Sequence, residues 1–441
     1  MIRLSDHFTV QKLLRYTFPS IIMMVFTSIY GVVDGFFVSN FVGKEAFTAV
    51  NFVMPVIMIL GGFGFMFGTG GGALISKTLG EGNRDRANRL FSMVIAVSAA
   101  VGVAIGVVGI LFIRPITALL GAEGDLLNDC VLYARIVLAG VPAVFLQYEF
   151  QALFSTAEQP KLGLWITVAA GVTNMVLDAL FVGLFGWGLV GAAAATTASQ
   201  CIGGLLPFLF FGRRSRGLLR LVRPMWSGTA LLKICVNGSS ELMSNIAMSL
   251  VSMLYNTQLL RYAGEDGVAA YGVLMYVNMI FLAVFIGFSI GTAPIVGYRF
   301  GAGDREELQG ILRRSLCIIA LFSVVMLAAS LSLAKPLSYL FVGYDAGLIA
   351  MTTHAFRIYS FSFLFAGFAI YGSSFFTALN DGLTSALISF LRTLVFQTAA
   401  VLLFPLIWQL DGIWISIVAA EVAAVAVTVA FLFGKRKKYG Y

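Results

Sequence analysis

The sequence predicts an all-α integral membrane protein: twelve transmembrane helices in two pseudo-symmetric six-helix bundles, arranged as parallel repeats around a central cleft. Three observations predict it. Of 441 residues, 59% are hydrophobic and only 11% charged, against about 25% charged in a soluble domain. The apolar residues fall into twelve stretches near the length of roughly 20 residues that crosses a bilayer. The second half of the chain repeats the first.

The spans lie near 12–38, 48–75, 90–112, 129–151, 162–184 and 189–211, then 231–258, 269–296, 312–332, 351–377, 384–405 and 410–433. The first is too long for a signal h-region, and no small-residue cleavage site follows it, so it is expected to stay as a membrane helix. The connectors are short. Residues 1–211 form the first bundle, 212–229 a basic linker and 230–441 the second bundle.

Lysine and arginine set the orientation, because inner loops carry them in excess. With the N-terminus inside, 22 of the 29 basic residues fall on inner segments, among them Arg84, Arg86, Arg213, Arg214, Arg216, Arg305 and the tail Lys435–Lys438. Only Lys44, Arg114, Arg261 and Lys335 fall outside. Both termini are therefore expected in the cytoplasm. The same scatter argues against nucleic acid as the partner of the +8 net charge, since no basic face forms. The linker alternates arginines with Leu218, Leu219, Leu221 and Val222, a pattern that fits the membrane surface beside anionic lipid.

A shift of 221 residues lays Leu79-Gly80-Glu81-Gly82 on Phe300-Gly301-Ala302-Gly303, Gly43 on Gly264, Met54 on Met275, Met58 on Met279 and Pro115 on Pro336. With small gaps, Arg135 falls on Arg357, Phe154 on Phe376 and Gly188 on Gly412. Each half holds an even number of helices, so both start on the same side. Their repeat axis then runs along the membrane normal, a transporter arrangement.

Ionisable groups inside a membrane are costly and mark function. The ionisable residues expected to be buried there are Asp34, Glu149, Asp178, Glu241 and Glu421, with Arg135, Arg357 and Arg392. At about 1.5 Å rise per residue, Asp34, Asp178 and Thr196 share the outer half of the bilayer. Tyr30 lies one turn from Asp34, and Asn174 one turn from Asp178. Three helices thus present oxygen atoms at one level. Two carboxylates brought together in low dielectric cannot both stay bare; they take up a proton or a sodium ion. The repeat partner of Asp34 is Tyr255, and that of Asp178 falls in the apolar run Ala400-Val401-Leu402-Leu403. The acid pair belongs to one half only.

Glu241 is the leading acid of the second bundle, suited to attract a cation or to pair with Asn245 or an arginine. Glu149, Glu421 and Arg392 read as structural, and Arg135 and Arg357 as anchors. Met54, Met58, Met275 and Met279 are soft side chains suited to lining an adaptable cavity. The glycine run from Gly61 to Gly72 permits close helix packing. It is not a phosphate loop, because Ser76-Lys77-Thr78 replaces the Gly-Lys-Ser/Thr ending. The four cysteines read as small buried hydrophobes, and no zinc site or disulfide framework is expected. His7 and His354 cannot share a site, and no hydrolase motif occurs, so the chain is not read as an enzyme.

Several short patterns together resemble the multidrug and toxic compound extrusion (MATE) family, bacterial type. They are Pro19, Tyr30-x-x-x-Asp34-Gly-x-Phe and Val42-Gly43 in or after the first span, Asn174-x-x-x-Asp178 in the fifth, and Gly188-x-x-Gly191 to Thr197 in the sixth. The inner loops Gly80-Glu-Gly82-Asn-Arg84 and Gly301-Ala-Gly303-Asp-Arg305 complete the set. The resemblance spans nearly the whole chain. It implies a secondary multidrug exporter of a bacterial inner membrane, an H+ or Na+ antiporter driven by rocker-switch motion, with no cofactor, working as a monomer. It implies a coupling-cation site at Tyr30, Asp34, Asn174, Asp178 and Thr196, with a possible Na+ at Asp34 and Asp178, and a bend at Pro19. A second site in the family uses acids in helices seven and ten, where this chain has Met248 and Gly372-Ser373-Ser374. The alternative is a lipid-linked saccharide flippase of related architecture. Its phosphate would want a cleft rich in arginine, whereas the residues expected to be buried are five acids against three arginines.

Overall fold

The computed structural model describes residues 2–42, 44–119, 121–212, 217–343 and 345–441. Gly43 and the linker residues Arg213, Arg214 and Arg216 lie outside the described residues, as does the side chain of Lys44. No strand occurs among the described residues.

The first lobe comprises α1 (Val10–Phe37), α2 (Lys44–Gly80), α3 (Arg84–Leu119), α4 (Gly124–Ala139), α5 (Val141–Thr156), α6 (Pro160–Asp178) and α7 (Gly188–Phe211). The second comprises α8 (Gly228–Gly301), α9 (Arg305–Val342), α10 (Ala346–Tyr359), α11 (Phe363–Ala378), α12 (Gly382–Phe390), α13 (Gln397–Leu403) and α14 (Pro405–Tyr439). Ten of the described stretches are long and apolar enough to cross a membrane, and the α4–α5 pair makes an eleventh. The 74-residue α8 breaks at Gly264 (φ 63°, ψ −151°) into two, so the spans number twelve, as the hydropathy pattern predicts.

Two breaks were not legible in that pattern. The fourth span bends by 57° between α4 and α5. Gly140 sits at the bend, where a Cβ would lie 2.6 Å from the Thr197 methyl. The tenth span is interrupted by a 3-10 turn at Ser360–Ser362. Conversely α1 runs unbroken through Pro19. The described part of the linker does not simply lie on a lipid surface. Leu219 is fully buried in the core of the first lobe with Phe91 and Phe211, and the Arg220 and Val222 amides donate to Asn88 Oδ1 (2.9 Å) and Ser92 Oγ (2.8 Å) of α3. Of the cysteines, Cys130 is buried but Cys317 is exposed, so the expectation of four buried thiols fails there.

The lobes meet at the end that carries both termini. The glycines of α2 work on both sides of the helix. A Cβ on Gly64 or Gly68 would lie 2.8–2.9 Å from the α5 backbone within the lobe. A Cβ on Gly70 would overlap the Ile234 carbonyl of α8, and one on Gly80 the Tyr298 carbonyl. From the other side, Gly238 abuts Met66 and Gly301 abuts Lys77 in the same way. Asn380 Nδ2 donates to the Ala73 carbonyl across the lobes at 3.1 Å. The N-terminal tail clasps both lobes. The Leu4 amide donates to Glu158 Oε1 (2.7 Å), the Phe8 amide to Glu307 Oε1 (2.8 Å), and Arg299 to the Asp6 carbonyl (2.7 Å). Burial pushes the Glu158 carboxyl up from its ordinary range, while the Lys12 ammonium holds Asp6 below its own. Farther along α2, Gly62 still packs on Asn245. Met58, one turn beyond on the same face, is 42% exposed. The lobes part there, and a cleft opens away from the termini.

Candidate functional site

Asp34 and Asp178 come together inside the first lobe. Asp34, on α1, is buried, and Asn174 and Asp178, on α6, are almost wholly so. The Asp34 carboxylate lies within side-chain reach of Asp178, Thr196 and Asn174, and the Thr196 hydroxyl of α7 donates to Asp34 Oδ1 at 3.4 Å. Among the described residues no donor reaches either carboxylate oxygen of Asp178, and both amide atoms of Asn174 lack a hydrogen-bond partner. Buried polar atoms are satisfied in the great majority of cases, so a cluster of orphans on α6 beside the Asp34 carboxylate of α1 is what an oxygen-lined cation site would present.

Local structure aims these groups. Each acid stands beside a π-helical turn: Val38–Val42 follows α1 and Ala179–Leu184 follows α6. Such widened turns interrupt regular packing and recur at functional sites. Gly171, one turn before Asn174, lets the Tyr30 and Phe26 rings press against α6, since a Cβ there would lie 2.5 Å from Phe26. The Tyr30 hydroxyl accepts from Gln147 Nε2 of α5 at 3.4 Å. All five sequence-predicted cation-site residues thus fall in one neighbourhood.

Two further residues belong to it. Tyr133 of α4 is 1% exposed and lies beside Asp34, Asp178 and Thr196. Gln147 holds Tyr30. Sequence reasoning passed over both because the bend at Gly140, which carries α4 and α5 past the acids, has no hydropathy signal. A tyrosine among the apolar residues Val131, Leu132 and Ala134 was the available clue, because a buried hydroxyl seeks a partner.

Pro19 lies elsewhere, at the lobe interface. On either side of it, Gly291 packs on Thr17 and Gly287 on Ser20 and Ile21, while Ser20 Oγ meets Ser155 Oγ at 3.0 Å. In the second lobe, Glu241 is half-buried. Asn245 Nδ2 donates to its backbone carbonyl (2.8 Å) rather than to its carboxylate. Arg392 lies near it but is bound side-on by Glu421. Among the described residues the Glu241 carboxylate has no ion pair. Met54 packs on the core of the first lobe and Met275 on that of the second, and the Ser28 hydroxyl donates to the Met279 carbonyl at 3.4 Å. Of the four methionines, Met58 is the most open to the cleft. Ser373, on the tenth span, bonds Ser385 and Ser389. Arg135 and Arg357 are exposed, as anchors require. Glu149 departs from the structural reading: it is fully buried, and among the described residues neither of its oxygens has a hydrogen-bond partner.

Two six-helix membrane lobes around a cleft, with a buried acid pair inside one of them, define a twelve-span transporter. The MatE family pattern matches residues 19–180 and again 242–403, once in each lobe. The chain belongs to the MatE family, that of multidrug and toxic compound extrusion. Among similar proteins, the multidrug export protein MepA of Staphylococcus saprophyticus is 23% identical over 424 residues, covering 94% of this chain and 91% of its own. MepA of Staphylococcus aureus is 22% identical over 419 residues, covering 94% and 92%. Among solved structures, a MATE in complex with MaL6 aligns with TM-score 0.92 at 22% identity, over 98% of this chain and 97% of that one. An outward-facing multidrug resistance MATE transporter aligns with TM-score 0.91 at 24% identity, over 98% and 96%. These likenesses establish the shared fold.

Proposed function

We propose that the chain is a secondary active exporter that exchanges H+ or Na+, bound at Asp34 and Asp178, for organic cations and amphiphilic compounds. One observation carries this reading. Two carboxylates from separate helices lie within side-chain reach of each other in the membrane core, the oxygens of Asp178 without a donor among the described residues, and the second lobe repeats the scaffold without them. Tyr30, Asn174 and Thr196 complete the oxygen set, so residues 1–211 act as the cation-coupling lobe, 212–229 as the linker and 230–441 as its counterpart. The multidrug export activity named for the MepA relatives supports the choice of cargo. So does the free carboxylate of Glu241, which would draw a cation towards Met54, Met58, Met275 and Met279. A carrier of phosphate-bearing lipid would want a free arginine there, and Arg392 is held by Glu421.

The charge asymmetry orients both termini towards the cytoplasm of a bacterial inner membrane. The cleft then opens outwards, and rocking of the lobes about their glycine seam gives access to the other side. Ion uptake would neutralise the acids, let α1 shift near Pro19 at the lobe interface, and lower affinity for cargo; that differential affinity is what exchange requires. The protein is expected to work as a monomer. The test is dye efflux from proteoliposomes under an imposed pH or sodium gradient. One gradient should drive a cationic dye; if folded protein responds to neither, this function is wrong.

A further inference from the structure

A polar stripe runs through the interior of the first lobe, from the acid site to the end that carries the termini. On α1 it comprises Asp34, Tyr30, Ser20 and Tyr16, which fall on one face of the helix. From Asp34 to Tyr16 is about 27 Å at the helical rise per residue, most of the thickness of a bilayer core. Gln147, Gln151 and Ser155, one turn apart on α5, supply the other side. Near the acids, the Tyr30 hydroxyl accepts from Gln147 Nε2 at 3.4 Å. Gly203 of α7 makes room for that glutamine, since a Cβ there would lie 2.7 Å from Gln147 Cδ. Near the termini, Ser20 Oγ meets Ser155 Oγ at 3.0 Å, and the Tyr16 hydroxyl donates to the Ser155 carbonyl at 2.6 Å. Gln151 stands between these two rungs. It is 2% exposed, and among the described residues neither of its amide atoms has a hydrogen-bond partner. An unpaired buried amide is costly and rare, so it points to a partner that comes and goes. The inner mouth of the stripe is covered. Leu4 and Phe8 of the N-terminal tail are fully buried. The Phe8 ring meets the Tyr16 ring edge-on, 5.8 Å between centroids, and the Leu4 amide is held by Glu158, which lies near Tyr16.

We propose that the coupling cation passes between Asp34 and the cytoplasm along this stripe, inside the first lobe, while cargo takes the cleft between the lobes. Gln151 is the joint. When water enters beside it, its carbonyl oxygen and its NH2 group supply the contacts that link Gln147 to Ser155. With the lobes closed at the terminal end the joint is sealed: Met23, 1% exposed, shares a buried cluster with Ala152, the neighbour of Gln151. The cover is tied to the second lobe, because the Phe8 amide donates to Glu307. Parting of the lobes at that end therefore pulls on the tail and opens the mouth at Tyr16. Separate routes also mean that cargo held in the cleft does not block release of the ion. The route presupposes Asp34 and Asp178 as the exchangeable site, but it adds a distinct claim about Gln151 and Ser155.

The experiment uses the full chain in membrane vesicles supplied with a cationic dye, so that both states are visited. Gln151→Cys should react with 2-aminoethyl methanethiosulfonate several-fold faster from the cytoplasmic face than from the outer face, with glutathione on the far side to quench leakage. Adding Ser155→Val, which fills the inner rung, should slow that reaction several-fold. A reagent arriving by the cleft would not be slowed. The same pattern is expected with Asp34→Asn added, so failure of the coupling reading would leave this result intact. Transport gives the second readout. Gln151→Leu should lower gradient-driven dye efflux about tenfold, the scale of one lost polar contact, with dye affinity and Tm held, and Gln151→Asn should recover much of the rate. Wild-type efflux in a folded Gln151→Leu overturns the proposal. So does labelling of Gln151→Cys that is no faster from inside, or that Ser155→Val leaves unchanged. Should Gln151→Leu not fold, the labelling of Gln151→Cys decides alone.

Discussion

Gly238 of α8 lies so close to Met66 of α2 that a Cβ on it would overlap the Met66 carbonyl oxygen. The contact joins the two lobes, and Gly70 makes the reciprocal approach to Ile234. Interior packing is bistable rather than deformable, so a side chain here cannot be absorbed by small shifts. Gly238→Val should exclude the state closed at the terminal end and populate its opposite. Spin labels at Met58 and Tyr276, on facing lobes beyond the seam, should move closer together in the variant, and efflux should fall roughly tenfold or more. An unchanged distance distribution would show that the seam does not set the resting state.

The N-terminal tail adds a second clasp. Glu307 accepts the Phe8 amide and pairs with His7 (2.7 Å) and Arg314 (3.3 Å). Glu307→Ala removes all three partnerships at once. Partly exposed pairs contribute about 0.2–1 kcal/mol each, so the expected outcome is loosening rather than unfolding. Phe8→Cys, buried in the clasp, should react several-fold faster with a thiol reagent in the Glu307→Ala background, with little change in Tm. Equal reaction rates would remove the tail from the closure mechanism.

The twelve spans, the repeat and the acid pair were legible because each leaves a one-dimensional trace. Apolar runs have a length, repeats have a shift, and Asp34 and Asp178 are charges where the bilayer penalises charge. Tyr133, Gln147 and the Arg392–Glu421 pair were not placed, for a physical reason. Their positions depend on where helices bend and on which face turns inward, and the bend at Gly140 and the π-helical turns arise from tertiary packing. Even the glycines of α2 read only as a close-packing run; nothing local says that Gly64 and Gly68 face α5 while Gly70 faces the other lobe.

Topology is open to direct labelling. Arg223 is exposed on the side of the termini, and Lys335 is exposed near the far end of α9. In intact cells, cysteine at 335 should react with an impermeant reagent and cysteine at 223 should react only after lysis. The reverse pattern would invert the molecule in the membrane and with it the direction in which the cleft opens.

Glu241→Gln removes a charge that has no ion pair among the described residues while keeping its shape. Affinity for a monovalent cationic dye should fall about 5–20-fold, the loss of one partly screened charge interaction, and affinity for a neutral amphiphile should hold. Ion binding at the first lobe should be unaffected, because the residue belongs to the other lobe. Parallel losses for charged and neutral cargo would mean that Glu241 shapes the cleft rather than reads charge.

The acid pair is tested most sharply by neutralising each member in turn. Asp34→Asn and Asp178→Asn keep size and some hydrogen bonding, and Asp34→Asn still offers Thr196 an acceptor, so both variants should insert and fold. Neither should retain gradient-driven efflux, because an amide binds neither a proton nor a small cation as a carboxylate in low dielectric does. The two residues lie within side-chain reach of each other, so as one site their effects should not add. The double variant should be little worse than either single one, whereas independent sites would multiply their losses. Tyr133→Phe provides the graded control: it deletes one hydroxyl beside both acids and should weaken coupling without abolishing it. Dye efflux at matched protein levels, with wild type alongside, measures all four variants. Wild-type rates in both single variants would remove the coupling role from Asp34 and Asp178 and send the search to Glu149, the other buried carboxylate of the first lobe whose oxygens have no partner.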